Sequence, residues 1–308
     1  MRKVAFCFPG QGSQDVGMGR AIADRFPEAR AVYDEASDAV GFDLARLCFE
    51  GSMDELTRTE LQQPALVATS VACLRAVETI GVRPDYVIGH SVGEYSALAA
   101  AGALTPPVAV ALVRERGEAM AEVALEKPGA MAAVLGLEDA VVEQLCATIP
   151  NVWPANYNCP GQVVVSGENA AVDRLLEEAA AHGARKTVKL RVSGAFHSPL
   201  VARAAERLKP ALARASFRDP APPFMSTVTA RVEDAQRLAA VLVEQLTGPV
   251  KFTQAVRGLV KDGVEVFVEI GPGQVLSGLL KRCDRSLRTI SVGTPDALEK
   301  LKETLSAA

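Results

Sequence analysis

The sequence predicts an α/β fold: a parallel sheet covered on both faces, interrupted by a small unit of β-α-β-β-α-β order. Three observations carry this. Short apolar runs, Val4 to Phe8, Tyr86 to Gly89 and Val264 to Ile270, each lead into a Gly-containing turn, as strands buried on both faces do. Longer stretches with apolar residues at three- and four-residue intervals alternate with them, the pattern of helices packed on a parallel sheet. Between Gly129 and Val192 the rhythm shortens to strand, helix, two strands, helix and strand, the ferredoxin-like order.

Taken in order, Val4 to Phe8 is a strand that ends in Pro9-Gly10-Gln11-Gly12-Ser13-Gln14, and helical periodicity follows over Gly19 to Val40 and Gln63 to Ile80. Pro84-Asp85 stops the chain before the strand Tyr86 to Gly89 and the segment His90-Ser91-Val92-Gly93. Tyr95 to Val113 carries no charge and nearly reaches membrane-spanning length, but Gly102 and Pro106-Pro107 break it into two buried helices. In the small unit, strands are expected at Ala130 to Leu135, Val152 to Tyr157, Gln162 to Ser166 and Arg185 to Val192. Its helices are expected at Glu138 to Thr148 and Ala170 to His182. The chain then continues with a helix from Leu200 to Ala215, a strand from Phe224 to Val228, helices over Ala235 to Leu246 and Phe252 to Asp262, and the strand Val264 to Ile270. Short helices close the chain. The expected domains are therefore 1–128 with 193–308, and an insert over 129–192.

Composition narrows the function. The chain has 308 residues and a formal net charge of -4, with 49% hydrophobic residues, so disorder is excluded and binding of nucleic acid through overall charge is disfavoured. Six scattered cysteines without Cys-x-x-Cys spacing, and only three histidines, make a metal site improbable. The apolar run at the start is too short for a signal peptide, and no membrane segment is expected, so a cytoplasmic enzyme fits best.

Gly89-His90-Ser91-Val92-Gly93 is a Gly-x-Ser-x-Gly between a strand and a helix. Two glycines permit the sharp turn that exposes the Ser91 hydroxyl at the sheet end, where the Val92 amide and the helix dipole can stabilise an oxyanion. A serine nucleophile needs a base. His90 adjoins Ser91 and leaves the turn in another direction, and His182 closes an amphipathic helix as a structural cation. His197, after the Gly194-Ala195-Phe196 turn, is left as the base. The loop after the first strand lacks the endings of nucleotide loops, but it can offer the Gln11 amide as a second oxyanion donor. Arg114 and Arg116 point to different faces of one helix, and either could hold a carboxylate substrate through a bidentate pair.

These motifs, with Arg114-Glu115-Arg116-Gly117, Asn158-Cys159-Pro160-Gly161-Gln162-Val163, Gly194 to Ser198 and Glu269-Ile270-Gly271-Pro272-Gly273, span nearly the whole chain. Together they resemble the malonyl-CoA:acyl-carrier-protein transacylases of bacterial fatty-acid synthesis, and the acyltransferase domains of polyketide synthases. The resemblance implies an α/β-hydrolase-like core with a ferredoxin-like insert. It implies Ser91 as nucleophile, His197 as base oriented by a backbone carbonyl near Gln245, and Gln11 and Val92 as oxyanion donors. Arg116 would hold the malonyl carboxylate, Asn158 would line the cleft, and Phe196 matches the malonyl-type pattern. Malonyl-CoA is then a substrate, with no permanently bound cofactor, and the partner is acyl carrier protein, met by local basic residues such as Arg185, Lys186, Lys189, Lys281 and Arg282. The alternatives are a stand-alone polyketide acyltransferase, a serine esterase or thioesterase, and a non-catalytic scaffold. The hydrolase is disfavoured because the α/β-hydrolase order puts an acid before a histidine close to the C-terminus, whereas a long stretch follows His197.

Overall fold

The computed structural model describes residues 2–192 and 194–306; Ser193, where the chain is expected to re-enter the larger unit, lies outside them, as do Met1 and residues 307 and 308. In chain order the strands are β1 (Lys3–Phe8), β2 (Tyr86–Gly89), β3 (Ala130–Leu135), β4 (Val152–Cys159), β5 (Gln162–Gly167), β6 (Lys186–Lys189), β7 (Phe224–Met225), β8 (Val232–Glu233), β9 (Val264–Ile270) and β10 (Arg288–Val292). The helices are α1 (Arg20–Arg25), α2 (Pro27–Val40), α3 (Leu44–Glu50), α4 (Met53–Thr57), α5 (Thr59–Thr79), α6 (Gly93–Ala100), α7 (Pro106–Glu126), α8 (Asp139–Thr148), α9 (Asn169–Ala181), α10 (Ala202–Arg214), α11 (Ala235–Thr247), α12 (Phe252–Lys261), α13 (Val275–Cys283) and α14 (Pro295–Ser306).

Six strands form one sheet in the order β10-β9-β1-β2-β7-β8, parallel except for the β7-β8 pair. Alternation along β1 explains the two covered faces. Val4, Phe6 and Phe8 enter the core built with α2, α5, α7 and α10, whereas Ala5 and Cys7 join Phe267 and the apolar sides of α12 and α13. The second sheet is antiparallel with order β4-β5-β3-β6, which is the ferredoxin-like arrangement expected. In β3, Ala132 and Val134 pack with α8 and α9, and Met131 and Ala133 turn to the core of the larger unit.

Several expected elements are trimmed for identifiable reasons. Helical periodicity over Gly19 to Val40 is broken at Phe26, whose extended backbone lets Pro27 open a new helix. The expected strand Phe224 to Val228 stops at Met225, because the Thr227 amide is turned to a buried side chain, Glu94, instead of the sheet. Of the residues expected as strand over Arg185 to Val192, the strand itself runs from Lys186 to Lys189, with the flanking Arg185 and Leu190 amides still donating to the Leu135 and Met131 carbonyls. The edge strand β10 and the short α3 and α4 were not anticipated; β10 is only half-buried, so its apolar signal is weak. The uncharged stretch Tyr95 to Val113 lies in α6 and α7, and among the described residues no helix is long and apolar enough to cross a membrane.

Candidate active site

The turn between β2 and α6 places Ser91. The His90 amide donates to the Phe8 carbonyl at 3.0 Å, which locks the turn to the end of β1, and Ser91 adopts a left-handed φ of 52°. Such a φ is costly for serine and persists only where the surroundings enforce it. The two glycines make the turn possible. A Cβ at Gly89 would lie 2.1 Å from the Gly93 main chain, and one at Gly93 would lie 2.2 Å from the Phe8 carbonyl oxygen. Backbone is met on both sides, so Gly93→Ala should destabilise the fold by roughly 1–3 kcal/mol or more, read as a lowered thermal midpoint; an unchanged midpoint would contradict this packing.

His197 completes a dyad. Ser91 Oγ and His197 Nε2 are 2.8 Å apart, and His197 Nδ1 donates to the Gln245 carbonyl at 2.8 Å and to the Gly248 carbonyl at 3.3 Å. Carbonyls only accept, so Nδ1 carries the proton and Nε2 turns its lone pair to the serine. Burial, reinforced by the Arg116 charge, lowers His197 to about 3. The imidazole therefore rests neutral, with its Nε2 lone pair toward the serine. His197 also has a left-handed φ, 58°, which aims its ring back at Ser91.

Of the two arginines, Arg116 is in the site and Arg114 is not. Arg114 pairs with Glu118 and the Glu60 carbonyl at the rim of α7. Arg116 is 1% exposed; it donates to Gln63 Oε1 at 2.7 Å, Gln245 Oε1 at 3.0 Å and Ser91 Oγ at 3.2 Å, and its Nε has no partner. All three acceptors are neutral, so no carboxylate touches the buried guanidinium, and the nearest acid, Glu94, reaches it only through Gln245. Burial pulls its pKa down from the usual arginine value.

A cavity of about 80 Å³ opens on the dyad, lined by Gln11, His90, Ser91, Met120, Met131, Asn156, Leu190, Val192, Phe196 and His197. The main-chain N–H groups of Gln11 and Val92 have no protein partner among the described residues, which leaves both available to an oxyanion. Phe196 forms part of the cavity wall. Asn158 does not: its amide meets His90 Nε2 at 2.8 Å, and Asn156, two residues earlier on β4, takes the lining position. A larger hollow of about 400 Å³ lies at the opposite end of the sheet, among Val264, Glu265 and Arg288, and its one hydroxyl, Ser286, donates to Asp284 with no histidine in the lining.

Comparison with known proteins agrees with this geometry. The acyl transferase domain model matches residues 5–299. The malonyl CoA-acyl carrier protein transacylase of Bacillus subtilis is 44% identical, with 99% of this chain and 98% of that protein covered. The chain belongs to the malonyl-CoA:acyl-carrier-protein transacylase family. Among solved structures, the transacylase of Xanthomonas oryzae superposes with a TM-score of 0.95 at 45% identity, covering 99% of this chain and 98% of that one. A malonyl-transacylase solved in complex with a type II polyketide acyl-carrier protein gives 0.95 at 39% identity, covering 98% and 99%. The α/β-hydrolase-like core with its ferredoxin-like unit is thus the transacylase fold.

Sequence reasoning overlooked two polar residues of this transacylase site. Gln63, on α5, accepts from Arg116, and Glu94, at the start of α6, holds Gln245 from the interior. A signal for Glu94 existed: it is the single acid at the head of a long uncharged stretch and therefore needs buried partners. His182 caps α9 with Nδ1 against the Glu178 carbonyl and is remote from the cavity, as anticipated. The six cysteines are free, and among the described residues no His, Cys, Asp and Glu group could hold a metal ion.

Proposed function

We propose that the chain moves a malonyl group from malonyl-CoA to the phosphopantetheine thiol of acyl carrier protein, through a malonyl ester on Ser91, in fatty-acid biosynthesis. The observation that supports this best is Arg116. A buried guanidinium 3.2 Å from the serine oxygen, with only neutral acceptors, suits an acyl group that carries its own carboxylate.

His197 Nε2 takes the Ser91 proton as Oγ attacks the thioester carbonyl, and the Gln11 and Val92 amides receive the negative charge on the carbonyl oxygen. Collapse breaks the carbon–sulfur bond, and the departing CoA thiolate takes the proton from His197. The carrier thiol then gives its proton to the same nitrogen and attacks the ester, and collapse returns oxygen and proton to Ser91. Each proton has its donor and acceptor within Ser91, His197 and the two thiols. Arg116 holds the carboxylate through both half-reactions, and the Gln245 carbonyl steadies the imidazolium in place of an acid. Asn158 acts on the cleft through His90, not as a lining residue.

The exposed Arg185, Lys186, Lys281 and Arg282 provide positive charge for an acidic carrier. Free cysteines and a CoA donor suit a cytoplasmic enzyme. The polyketide-carrier complex of a related chain supports a second reading, the same chemistry serving a polyketide carrier. Malonyl-CoA mixed with holo acyl carrier protein should yield malonyl-carrier far faster than free malonate. Predominant hydrolysis would overturn the transferase reading in favour of an esterase.

A further inference from the structure

We propose that Glu94 is a positioning residue that sets the direction of the Gln245 side-chain amide, and through it holds Arg116 against the acyl group's carboxylate. This inference rests on the role given to Arg116 above. Glu94 is fully buried. Its Oε1 accepts from the Thr227 amide at 2.6 Å, the Thr227 hydroxyl at 2.9 Å and the Ser226 hydroxyl at 3.2 Å, while its Oε2 accepts from Gln245 Nε2. Gln245 Nε2 also donates to the Ser91 carbonyl at 3.0 Å. Two acceptors therefore face one end of the Gln245 amide, so its NH₂ must lie there and its oxygen must face outward. That oxygen receives Arg116 Nη2 at 3.0 Å, beside the 3.2 Å contact of the same nitrogen with Ser91 Oγ.

The ionised acid at position 94 is essential to this polarity. Burial raises the Glu94 carboxyl to about 7, and its Thr227, Gln245 and Ser226 donors act in the opposite direction by favouring the ionised form. A glutamine there would keep its oxygen on the Thr227 amide, which can only donate, and would turn its NH₂ to the NH₂ of Gln245. Gln245 must then flip and present nitrogen to Arg116, or release Glu94's position altogether. In either case the guanidinium loses its oxygen partner or its support. The flip also costs the Ser91 carbonyl its Gln245 donor, but the Ser91–His197 and His197–Gln245 carbonyl contacts and both oxyanion amides do not run through Glu94, so an acyl group without a carboxylate loses less than malonyl does.

The test compares malonyl-CoA with acetyl-CoA as donors to one holo carrier protein at pH 8, for the unmodified enzyme, Glu94→Gln, Arg116→Ala and the double variant. Glu94→Gln should lower the malonyl-to-acetyl ratio of kcat/KM by about 10-fold or more, the range of a lost hydrogen bond to a charged group. In the Arg116→Ala background the same change should alter the ratio by less than about 2-fold, since the residue it acts through is gone. Equal loss of malonyl and acetyl transfer, or the same drop in both backgrounds, would show a merely structural role. An unchanged ratio in Glu94→Gln, when Arg116→Ala alone lowers it, overturns the Glu94 inference only. An unchanged ratio in Arg116→Ala overturns the reading of Arg116 itself. Should Glu94→Gln fail to fold, Glu94→Asp keeps the acid but draws it back from Gln245 Nε2 and should lower the ratio the same way by less; no shift in that variant overturns the inference.

Discussion

Ser91→Ala should reduce malonyl transfer by on the order of 10⁴-fold or more, leaving only what the oxyanion amides and substrate binding supply. The expectation follows from the number of tasks that meet at one atom. Ser91 Oγ receives Arg116 and lies 2.8 Å from His197 Nε2, and no second hydroxyl among the cavity-lining residues could replace it. Rapid-quench assays with labelled malonyl-CoA would check this, with the thermal midpoint confirming a folded variant. Transfer within ten-fold of the unmodified enzyme would mean that acyl transfer proceeds directly between thiols, without an enzyme ester.

Arg116→Ala should lower kcat/KM for malonyl-CoA by roughly 30- to 5,000-fold, corresponding to about 2–5 kcal/mol for truncating one member of a buried charged pair. Acetyl transfer should be unaffected or rise, because the variant no longer buries a cation beside the acyl site. Arg116→Lys should recover little, since an ammonium cannot span Gln63, Gln245 and a carboxylate in one plane as the guanidinium does. Competition between the two donors in one reaction would measure the selectivity directly. Equal losses for both would assign Arg116 to support of the dyad instead of recognition of the carboxylate.

Much of the site was legible because residue type and local order carry it. The two glycines around Ser91 reveal a turn that only they permit, and a count of three histidines leaves His197 once chain position removes the others. The parallel core was legible from strands without alternation, and the small unit from its shorter rhythm. What escaped depends on backbone detail that residue type does not record. The carbonyl that orients His197 could have come from any residue at position 245, so only the family resemblance and not residue type points to it, and the left-handed φ of His197 leaves no mark in the sequence. Asn158 was expected in the cleft, but β4 is bulged between Pro154 and Asn156 and again between Tyr157 and Cys159, so alternation cannot be counted through it. The amide of Asn158 is spent on His90, and Asn156 faces the cavity instead.

Intact-mass spectrometry after mixing the enzyme with malonyl-CoA in the absence of carrier tests the central claim most directly. The account predicts a stoichiometric gain of one malonyl group, mapped to the peptide containing Ser91, that disappears on addition of holo acyl carrier protein as malonyl-carrier forms. A protein whose mass stays unchanged while malonyl still reaches the carrier would contradict it.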